Sequence, residues 1–297
     1  MCGIDPVSTR SGEHQSASAA CSSVLALWPA RGQCWRYGDH RTTLEDRLVA
    51  ANLNLEGAEM KRSEGSRYYI SRKRKLLKND EKWLLRIRGA LIKRYGEAFA
   101  DEILPDVREE LGKTLAEAPY IGGGRNVWTP VIISAVKLIA FHRVMRTKGK
   151  TVEETADIAC EATEDFYRSY SSLRLWGLRK LLFSAPARWY FKTQALRSQK
   201  REYEDDWVWD FESGKGEDFV ARFEMHECGE CKFYKAQGVE ELSRYCNFFD
   251  VLTSQHLGLG LVMDSHLGSG DKSCVYRFKQ GRQTEVPPNL KSFIAAR

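Results

Sequence analysis

The chain has few cysteines, no long apolar run and no N-terminal signal pattern. Its longest apolar stretch, 128–141, is interrupted by Lys137 and is shorter than the roughly 20 residues that a membrane-spanning helix requires. Near the N-terminus, Asp5 and Glu13 interrupt any positive region, and the apolar run 24–28 is too short for a signal peptide. The 8 cysteines lack the regular spacing of a secreted disulfide scaffold. We therefore expect a cytoplasmic protein with no membrane span.

A strong excess of charge of one sign is also lacking. The 46 basic and 40 acidic residues leave a formal net charge of +6, which is mild for 297 residues. Proteins that bind nucleic acids usually carry a stronger and more localised positive charge, so we expect no nucleic-acid partner. A hydrophobic content of 42% is sufficient for a core that needs neither a disulfide nor a metal.

The sequence divides into three parts. Residues 1–59 are rich in Ser, Gly, Arg and Ala without a helical or strand period, so we predict a disordered leader, with Met60 as an alternative start. Residues 60–204 have helical spacing, and residues 205–297 contain segments with a period of two. We predict an α+β fold, in which a helical bundle-like half and a small antiparallel ββαββ unit form one compact unit.

Four helices are predicted before residue 172. Apolar residues recur at helical spacing from 80 to 95, and a second helix is predicted to start near Pro105. Thr129 is predicted to cap a third helix with Pro130 at its first position. Thr151 and Glu154 have the spacing of a capping box for the fourth.

A glycine-rich loop, 119–126, joins the second and third of these helices. Its three consecutive glycines allow positive φ angles and the close approach of another group to the backbone. The loop lacks the Lys and Ser/Thr of a phosphate-binding P-loop. We therefore favour a tight turn that faces a substrate, with Gly123 and Asn126 as candidate binding residues.

Residues 173–201 form a basic stretch with interleaved aromatic side chains and no acidic residue. Its basic residues are Arg174, Arg179, Lys180, Arg188, Lys192, Arg197, Lys200 and Arg201. Such a stretch is typical of a segment that lies on an anionic membrane surface or closes over an anionic substrate. The alternative, which we favour, is a pair of helices broken at Pro186, with the aromatic side chains in the core and the basic ones solvated.

After residue 205 the apolar residues alternate, which predicts strands. Residues 207–211 and 219–225 are predicted to form a hairpin around a turn at 213–216. A single helix is predicted at 239–257, followed by extended segments near 260–267 and 273–279.

Residues that can carry chemistry are concentrated in one segment. They are His226, Cys228, Cys231, Cys246, Asp250 and Cys274. Thiolates are good nucleophiles and good ligands for soft metals. Two of the cysteines, 228 and 231, have the spacing of a zinc knuckle, but the other two do not form a second knuckle. A metal site made of all four cysteines is therefore the alternative to a catalytic site.

The catalytic interpretation rests on where these residues lie. Cys246 and Asp250 are four residues apart in the predicted helix 239–257, so they would share one face at the edge of an apolar stripe. Such a position raises the pKa of a carboxyl and suits it to acid–base work. Cys228 lies where a strand ends and a short helix begins, and a helix N-terminus stabilises a thiolate. His226 is the candidate base for Cys228.

Several motifs can be compared with a known family. They are the segment 227–232, the pair Cys246 and Asp250, and the closing residues Gly270, Cys274, Arg277 and Phe278. Together with the upstream segments 119–126 and 143–154, they resemble the L-2-amino-thiazoline-4-carboxylic acid hydrolase family over roughly residues 65–280. The chain departs from the family pattern after its last cysteine, where Val275 replaces an acidic residue and Tyr276 replaces phenylalanine.

The resemblance implies a hydrolase of carbon–nitrogen bonds other than peptide bonds. Its substrate would be a small cyclic amidine-like molecule, such as a 2-aminothiazoline carboxylate, opened by a cysteine-centred mechanism. Arg277 would bind the substrate carboxylate by a bidentate contact, with Cys274 as a further binding residue. The hypothesis requires a small-molecule partner and no cofactor, and it leaves a homo-oligomer open. The competing hypothesis is a non-catalytic module that binds a small molecule or a metal through the cysteines.

Overall fold

The computed structural model describes residues 67–294, apart from the side chains of residues 77–79. The leader predicted for residues 1–59 and the alternative start at Met60 lie outside this range. Helices make up most of residues 73–198. They are α1 (Lys73–Tyr95), α2 (Glu97–Ala116), α3 (Thr129–Thr147), α4 (Val152–Arg168), α5 (Ser172–Leu182) and α6 (Ala185–Ser198).

Local signals explain several boundaries of these helices. Gly96 has a φ of 86° and separates α1 from α2. The predicted capping box at α4 is confirmed, because the Glu154 amide donates to the Thr151 hydroxyl and the Thr151 amide donates to the Glu154 carboxylate. The prediction that Thr129 caps α3 is wrong, since Thr129 is the first residue of α3 and its hydroxyl donates to the Gly123 carbonyl oxygen.

The prediction that the second helix starts near Pro105 is also wrong. Helix α2 begins at Glu97 and contains Pro105 in its interior. The turns before this proline already bury Ala100 and Ile103 completely. Their packing stabilises the helix there, although proline removes one backbone hydrogen bond.

The second half of the described chain contains a four-stranded antiparallel sheet. Its strands are β1 (Val208–Ser213), β2 (Ala221–Glu227), β3 (Leu261–Ser265) and β4 (Cys274–Phe278). Their order across the sheet is β1-β2-β4-β3, so the two hairpins lie side by side. The predicted α+β fold is confirmed, with the helical half first and the sheet second.

Three helical elements connect β2 to β3, where one helix was expected at 239–257. They are α7 (Gly229–Ala236), a 3-10 helix (Glu240–Tyr245) and α8 (Phe248–Leu257), and a short α9 (Lys291–Ile294) follows β4. Leu242, Tyr245 and Phe248 are buried at a spacing of three residues, which suits the three residues per turn of a 3-10 helix. The prediction of one continuous helix is therefore wrong.

Aromatic side chains join the helical half to the sheet. Trp209 of β1 is almost fully buried and stacks on Phe223 of β2, with 5.6 Å between ring centroids. Its other neighbour is Trp128, just before α3, at 5.3 Å in an edge-on arrangement. Trp128 also stacks on Trp207, with 5.6 Å between centroids. Helices and sheet consequently share one hydrophobic core.

The expectation that the aromatic side chains of the basic stretch lie in the core is wrong for most of them. Phe191 is the exception, since it is half-buried and packs against the core. Trp176 of α5 is 51% exposed and Trp189 of α6 is 70% exposed. Helix α5 buries no residue, and α6 buries only Ala195 and Ser198. The inner sides of both helices border a cavity instead of packed side chains, which leaves them fewer buried contacts. No helix in the described part of the chain is long and apolar enough to cross a membrane.

We predict that Trp209→Ala lowers the free energy of unfolding by about 3–5 kcal/mol, because it removes a buried ring and leaves a cavity. The matched control is Trp189→Ala, which removes an exposed ring and is expected to change it by less than about 0.5 kcal/mol. Urea unfolding followed by circular dichroism measures both values. Similar losses in the two variants would contradict the core position of Trp209.

Candidate active site

A cavity of about 740 Å³ lies between the helices and the sheet. This volume falls within the range of about 300–1,000 Å³ that is usual for small-molecule sites. Its walls are largely aromatic, with rings from the helices and from the sheet. Examples are Trp83, Trp128, Phe183, Phe191 and Phe223. Five basic side chains also line it, namely Lys82, Arg86, Lys137, Arg174 and Arg188, so the cavity is suited to a ligand that combines an apolar part with polar groups.

A group of polar and ionisable side chains borders part of this cavity. Its members are Cys228, Glu230, Tyr234, Cys246, Asp250 and Tyr276. All six come from the segment between the end of β2 and β4. Cys246 and Asp250 were expected to share one face of a helix at 239–257. They border the same cavity, but from the end of a 3-10 helix and from the start of α8.

Cys228 is the N-cap of α7, at the strand-to-helix junction that the sequence indicates. Its sulfur accepts a hydrogen bond from the Cys231 amide, with 3.5 Å between Sγ and N. The next residue must be glycine, because a Cβ on Gly229 would lie 2.5 Å from the carbonyl oxygen of Asp205 and 2.7 Å from the ring of Trp207. This close contact holds the start of α7, and with it Cys228, against the chain that leads into β1.

The thiol cluster, which we define as Cys228, Cys231 and Cys246, holds its negative charge on the middle cysteine. Hydrogen bonds from the Cys228 and Cys246 thiols lower the pKa of Cys231 to about 3. The same two hydrogen bonds, together with burial, raise the pKa values of Cys228 and Cys246 well above the usual value of a thiol. These interactions favour the thiolate form at Cys231 and the thiol form at Cys228 and Cys246, which both border the cavity.

Cys246 also contacts a histidine that the sequence analysis did not select. The distance between Cys246 Sγ and His266 Nε2 is 3.3 Å, and that between His266 Nδ1 and Ser269 Oγ is 3.0 Å. Burial lowers the pKa of His266, so its imidazole is neutral and can accept a proton. A nucleophile, a base and a third residue that orients the base are arranged in this order in many enzymes with covalent intermediates.

The loop that carries His266 is pressed against the 3-10 helix. A Cβ on Gly268 would lie 1.9 Å from the carbonyl oxygen of Ser243, so only glycine fits there. The Asp271 carboxylate accepts a hydrogen bond of 2.7 Å from the main-chain amide of His266. Both contacts fix the imidazole next to Cys246.

Burial raises the pKa values of two carboxyl groups next to the thiol cluster. Burial raises the pKa of Asp250 to about 7, and a hydrogen bond from the Tyr276 hydroxyl opposes that rise. Burial raises the pKa of Glu230 well above its usual value, and the Tyr234 hydroxyl donates to it over 2.5 Å. Asp250 can therefore both donate and accept a proton at the cavity surface.

Two predicted site residues lie away from the cavity. His226 follows the buried Met225 on β2, so the alternation of the strand places it on the opposite face, where its Nε2 is 2.8 Å from Asp210. Arg277 of β4 forms ion pairs with Asp264 and Asp218 at 2.6 Å. Both assignments are therefore wrong, that of His226 as the base of Cys228 and that of Arg277 as the carboxylate-binding residue.

The glycine-rich loop has a structural role in place of the expected binding role. The Asn126 side chain donates to the Ile121 carbonyl oxygen and to Asp206, both at 2.6 Å, and accepts from the Trp128 amide. Gly123 packs directly under the ring of Tyr68. These contacts close the loop on itself, so the assignment of Asn126 and Gly123 as substrate-binding residues is wrong.

Cys274 borders the cavity, as a candidate binding residue should, but its thiol is unreactive. Burial raises the pKa of Cys274 to about 11, and its sulfur accepts a hydrogen bond of 3.1 Å from the Leu267 amide. Within residues 67–294, no group of three or more His, Cys, Asp or Glu side chains is arranged to hold a metal ion. The four cysteines of the alternative metal site are therefore not arranged as such a site.

Trp128 offers the cavity an unused hydrogen-bond donor. Its indole Nε1 is buried and has no hydrogen-bond partner among the described residues. Its ring is part of the cavity wall. Since a buried donor without a partner is unfavourable, a ligand acceptor placed there would gain a hydrogen bond.

Comparisons of this chain with protein-family models, with curated proteins and with solved structures found no match.

We predict that Asp250→Asn increases the stability of the protein more at about pH 8 than at about pH 5. The folded pKa of about 7 lies above the ordinary value of 3.8, so the folded state binds more protons and wild-type stability falls as the pH rises between these values. Asparagine removes this effect. Because Asp250 is only half-buried at the cavity wall, the gain at about pH 8 is expected to be about 1–3 kcal/mol.

Asp264→Asn is the matched control, with the opposite sign. Hydrogen bonds from Arg277 lower the pKa of Asp264, so its carboxylate stabilises the folded state above the unfolded pKa, and its removal should lower stability at about pH 8. Urea unfolding at both pH values measures the two effects. An equal effect of Asp250→Asn at both pH values would contradict the raised pKa.

Proposed function

We propose that this protein is a cysteine hydrolase that opens a carbon–nitrogen bond in a cyclic amidine-like substrate with a bulky apolar part. The observation that carries this proposal is the chain of contacts from Cys246 to His266 to Ser269, with Cys246 at the wall of the cavity. Asp250 borders the same cavity and has a pKa of about 7, which suits a general acid at neutral pH.

In the first half of the proposed reaction, Cys246 Sγ attacks the amidine carbon and its proton passes to His266 Nε2. The electron pair of the C=N double bond moves to nitrogen, which takes the proton of Asp250. The intermediate then expels the ring nitrogen, the former C=N nitrogen, as an amine that takes the proton from His266, so the ring opens. The exocyclic nitrogen forms a double bond to carbon and returns a proton to Asp250, which leaves a thioimidate on Cys246.

In the second half of the proposed reaction, water attacks the thioimidate and Cys246 is released. His266 takes a proton from water as the oxygen attacks the thioimidate carbon, and Asp250 protonates the nitrogen. The tetrahedral intermediate expels Cys246, whose sulfur recovers a proton from His266, while a hydroxyl proton returns to Asp250 as the carbonyl forms. The net reaction converts an amidine and one water into an amide and an amine, with the protein unchanged.

The thiolate of Cys231 assists the proposed base. It lies close enough to His266 to raise the pKa of the imidazole, which opposes the effect of burial. A negative charge at this distance stabilises the imidazolium that forms when His266 takes the proton of Cys246. Cys231 is therefore a positioning residue in the proposal, since the cavity-facing nucleophile is Cys246.

The size and chemistry of the cavity support a substrate larger than a 2-aminothiazoline carboxylate. Aromatic walls enclose about 740 Å³, which a small polar ring would leave mostly unfilled. Arg277, the expected carboxylate ligand, is paired on the other face of the sheet. The unpartnered Nε1 of Trp128 fits an uncharged acceptor, such as a carbonyl oxygen, in the apolar part of the substrate.

Turnover assays test the proposal with two substrates, L-2-amino-thiazoline-4-carboxylate and its benzyl amide. Ring opening is followed by mass spectrometry as the gain of one water. We expect a higher kcat/KM for the benzyl amide, because its ring buries apolar surface in the cavity. Cys246→Ala should lower kcat by at least about 10³-fold and His266→Ala by about 10²–10⁴-fold.

Two variants serve as matched controls, one for each residue type. Cys274→Ala removes another cysteine of the cavity wall, and His226→Ala removes the histidine on the opposite face of the sheet. Both should keep kcat within about tenfold of wild type, because neither residue touches the reacting atoms. Wild-type turnover by Cys246→Ala would remove Cys246 as nucleophile. Tight binding of both compounds without any turnover would replace the hydrolase with the non-catalytic binding module.

A further inference from the structure

Helices α5 and α6 carry an unusual number of exposed apolar side chains. The most exposed are Leu173 at 77%, Trp189 at 70%, Leu196 at 64% and Leu181 at 62%, with Trp176 at 51%. Single exposed apolar residues are normal on a protein surface, but five on two adjacent helices are not. Such a concentration marks a surface that binds a partner or a membrane.

The spacing of these residues repeats between the two helices. Leu173, Trp176 and Lys180 of α5 follow the pattern i, i+3, i+7, which places them on one side of the helix. Trp189, Lys192 and Leu196 of α6 follow the same pattern. Each helix therefore presents a stripe of apolar side chains with a lysine within it, and we call these six residues the outer face.

Both helices direct their other sides towards the cavity. Arg174 and Leu182 of α5 border the cavity, as do Arg188 and Phe191 of α6. Because the inner sides of the two helices share one cavity, the outer face points away from it on both. The two helices form one cover over the cavity, with apolar and basic side chains on its outside.

All charged residues of this cover are basic. Residues 173–201 contain eight basic and no acidic residues. Among the described residues, Arg197 and Arg201 form ion pairs with acidic side chains outside the stretch, whereas no ion pair is formed by Lys180, Arg188, Lys192 or Lys200. The Arg174 guanidinium lies 3.8 Å from the centroid of the Tyr170 ring. Acidic residues would have been expected if this surface only needed to be solvated, since the whole chain is nearly balanced in charge.

We propose that the outer face docks this protein on the surface of an anionic lipid bilayer. Apolar side chains flanked by lysines match an interface in which acyl chains meet anionic headgroups. Tryptophan suits this interface, because its ring is apolar and its indole N–H is polar. The proposal does not rest on the proposed hydrolase, but it places the large apolar cavity directly beneath a source of apolar ligands.

Vesicle sedimentation with the full-length protein tests the proposal. Vesicles of phosphatidylcholine with about one third phosphatidylglycerol should sediment the protein, whereas vesicles of phosphatidylcholine alone should not. Binding should fall by at least about fivefold between about 50 mM and about 500 mM salt, since screening weakens the attraction of basic side chains to the lipid surface.

Two pairs of double variants separate this face from the rest of the surface. Leu173→Ser with Leu196→Ser should lower binding at least about fivefold, while Ile70→Ser with Leu85→Ser, which are also exposed, should leave it within about twofold. Lys180→Glu with Lys192→Glu should abolish binding. The control Arg74→Glu with Lys75→Glu makes the same change in net charge on exposed residues of α1. This control variant should retain most of the vesicle binding.

Four results would overturn the proposal. The first is no sedimentation of wild-type protein with anionic vesicles, and the second is equal sedimentation with neutral vesicles. The third is a wild-type oligomer in light scattering that the outer-face variants convert to a monomer, because a second copy of the chain would then cover this surface. Vesicle binding by wild type that persists unchanged in both outer-face variants would likewise assign the binding to another part of the chain.

Discussion

Ionisable side chains lose most of their hydration on burial, and the region around Cys246 buries several of them together. In the thiol cluster, hydrogen bonds lower the pKa of Cys231 and raise the pKa values of Cys228 and Cys246, which favours a single negative charge there. Burial raises the pKa of Glu230, which receives a hydrogen bond from the Tyr234 hydroxyl. These arrangements require that α7, the 3-10 helix and the His266 loop meet at one point, and Gly229 and Gly268 allow the contacts that bring them there.

Much of the fold could be predicted from local patterns. Alternating residues indicate the first hairpin, extended segments near 260–267 and 273–279 indicate the second, and the Thr151–Glu154 spacing indicates the start of α4. These signals act within a few residues of the chain. Predictions were wrong where packing overrides local propensity. Pro105 lies inside α2 since Ala100 and Ile103 are buried before it. Residues 240–245 form a 3-10 helix that buries Leu242 and Tyr245, three residues apart, together with Ser243.

The candidate site was predicted only in part, for a related reason. Cys228, Cys246 and Asp250 lie in a segment whose concentration of cysteines is a signal that can be read from the sequence. The structure brings all three residues to one cavity. His226 is the expected base because it lies two residues before Cys228 in the sequence, whereas the pleat of β2 turns it to the other face. His266 is 20 residues from Cys246, and its signal was the glycine pair at 268 and 270 with Ser269 between them, which indicates a tight loop.

The aromatic wall of the cavity gives the protein a built-in optical probe. Trp83, Trp128 and Trp207 all border the cavity, and the last two are stacked on each other. Indole emission depends on the polarity around the ring, so a molecule that displaces water from these three rings changes the wavelength and intensity of the fluorescence. Compounds that occupy the cavity can therefore be found by titration alone, before any chemical step is known, and Trp209, which is packed in the core, contributes a constant background.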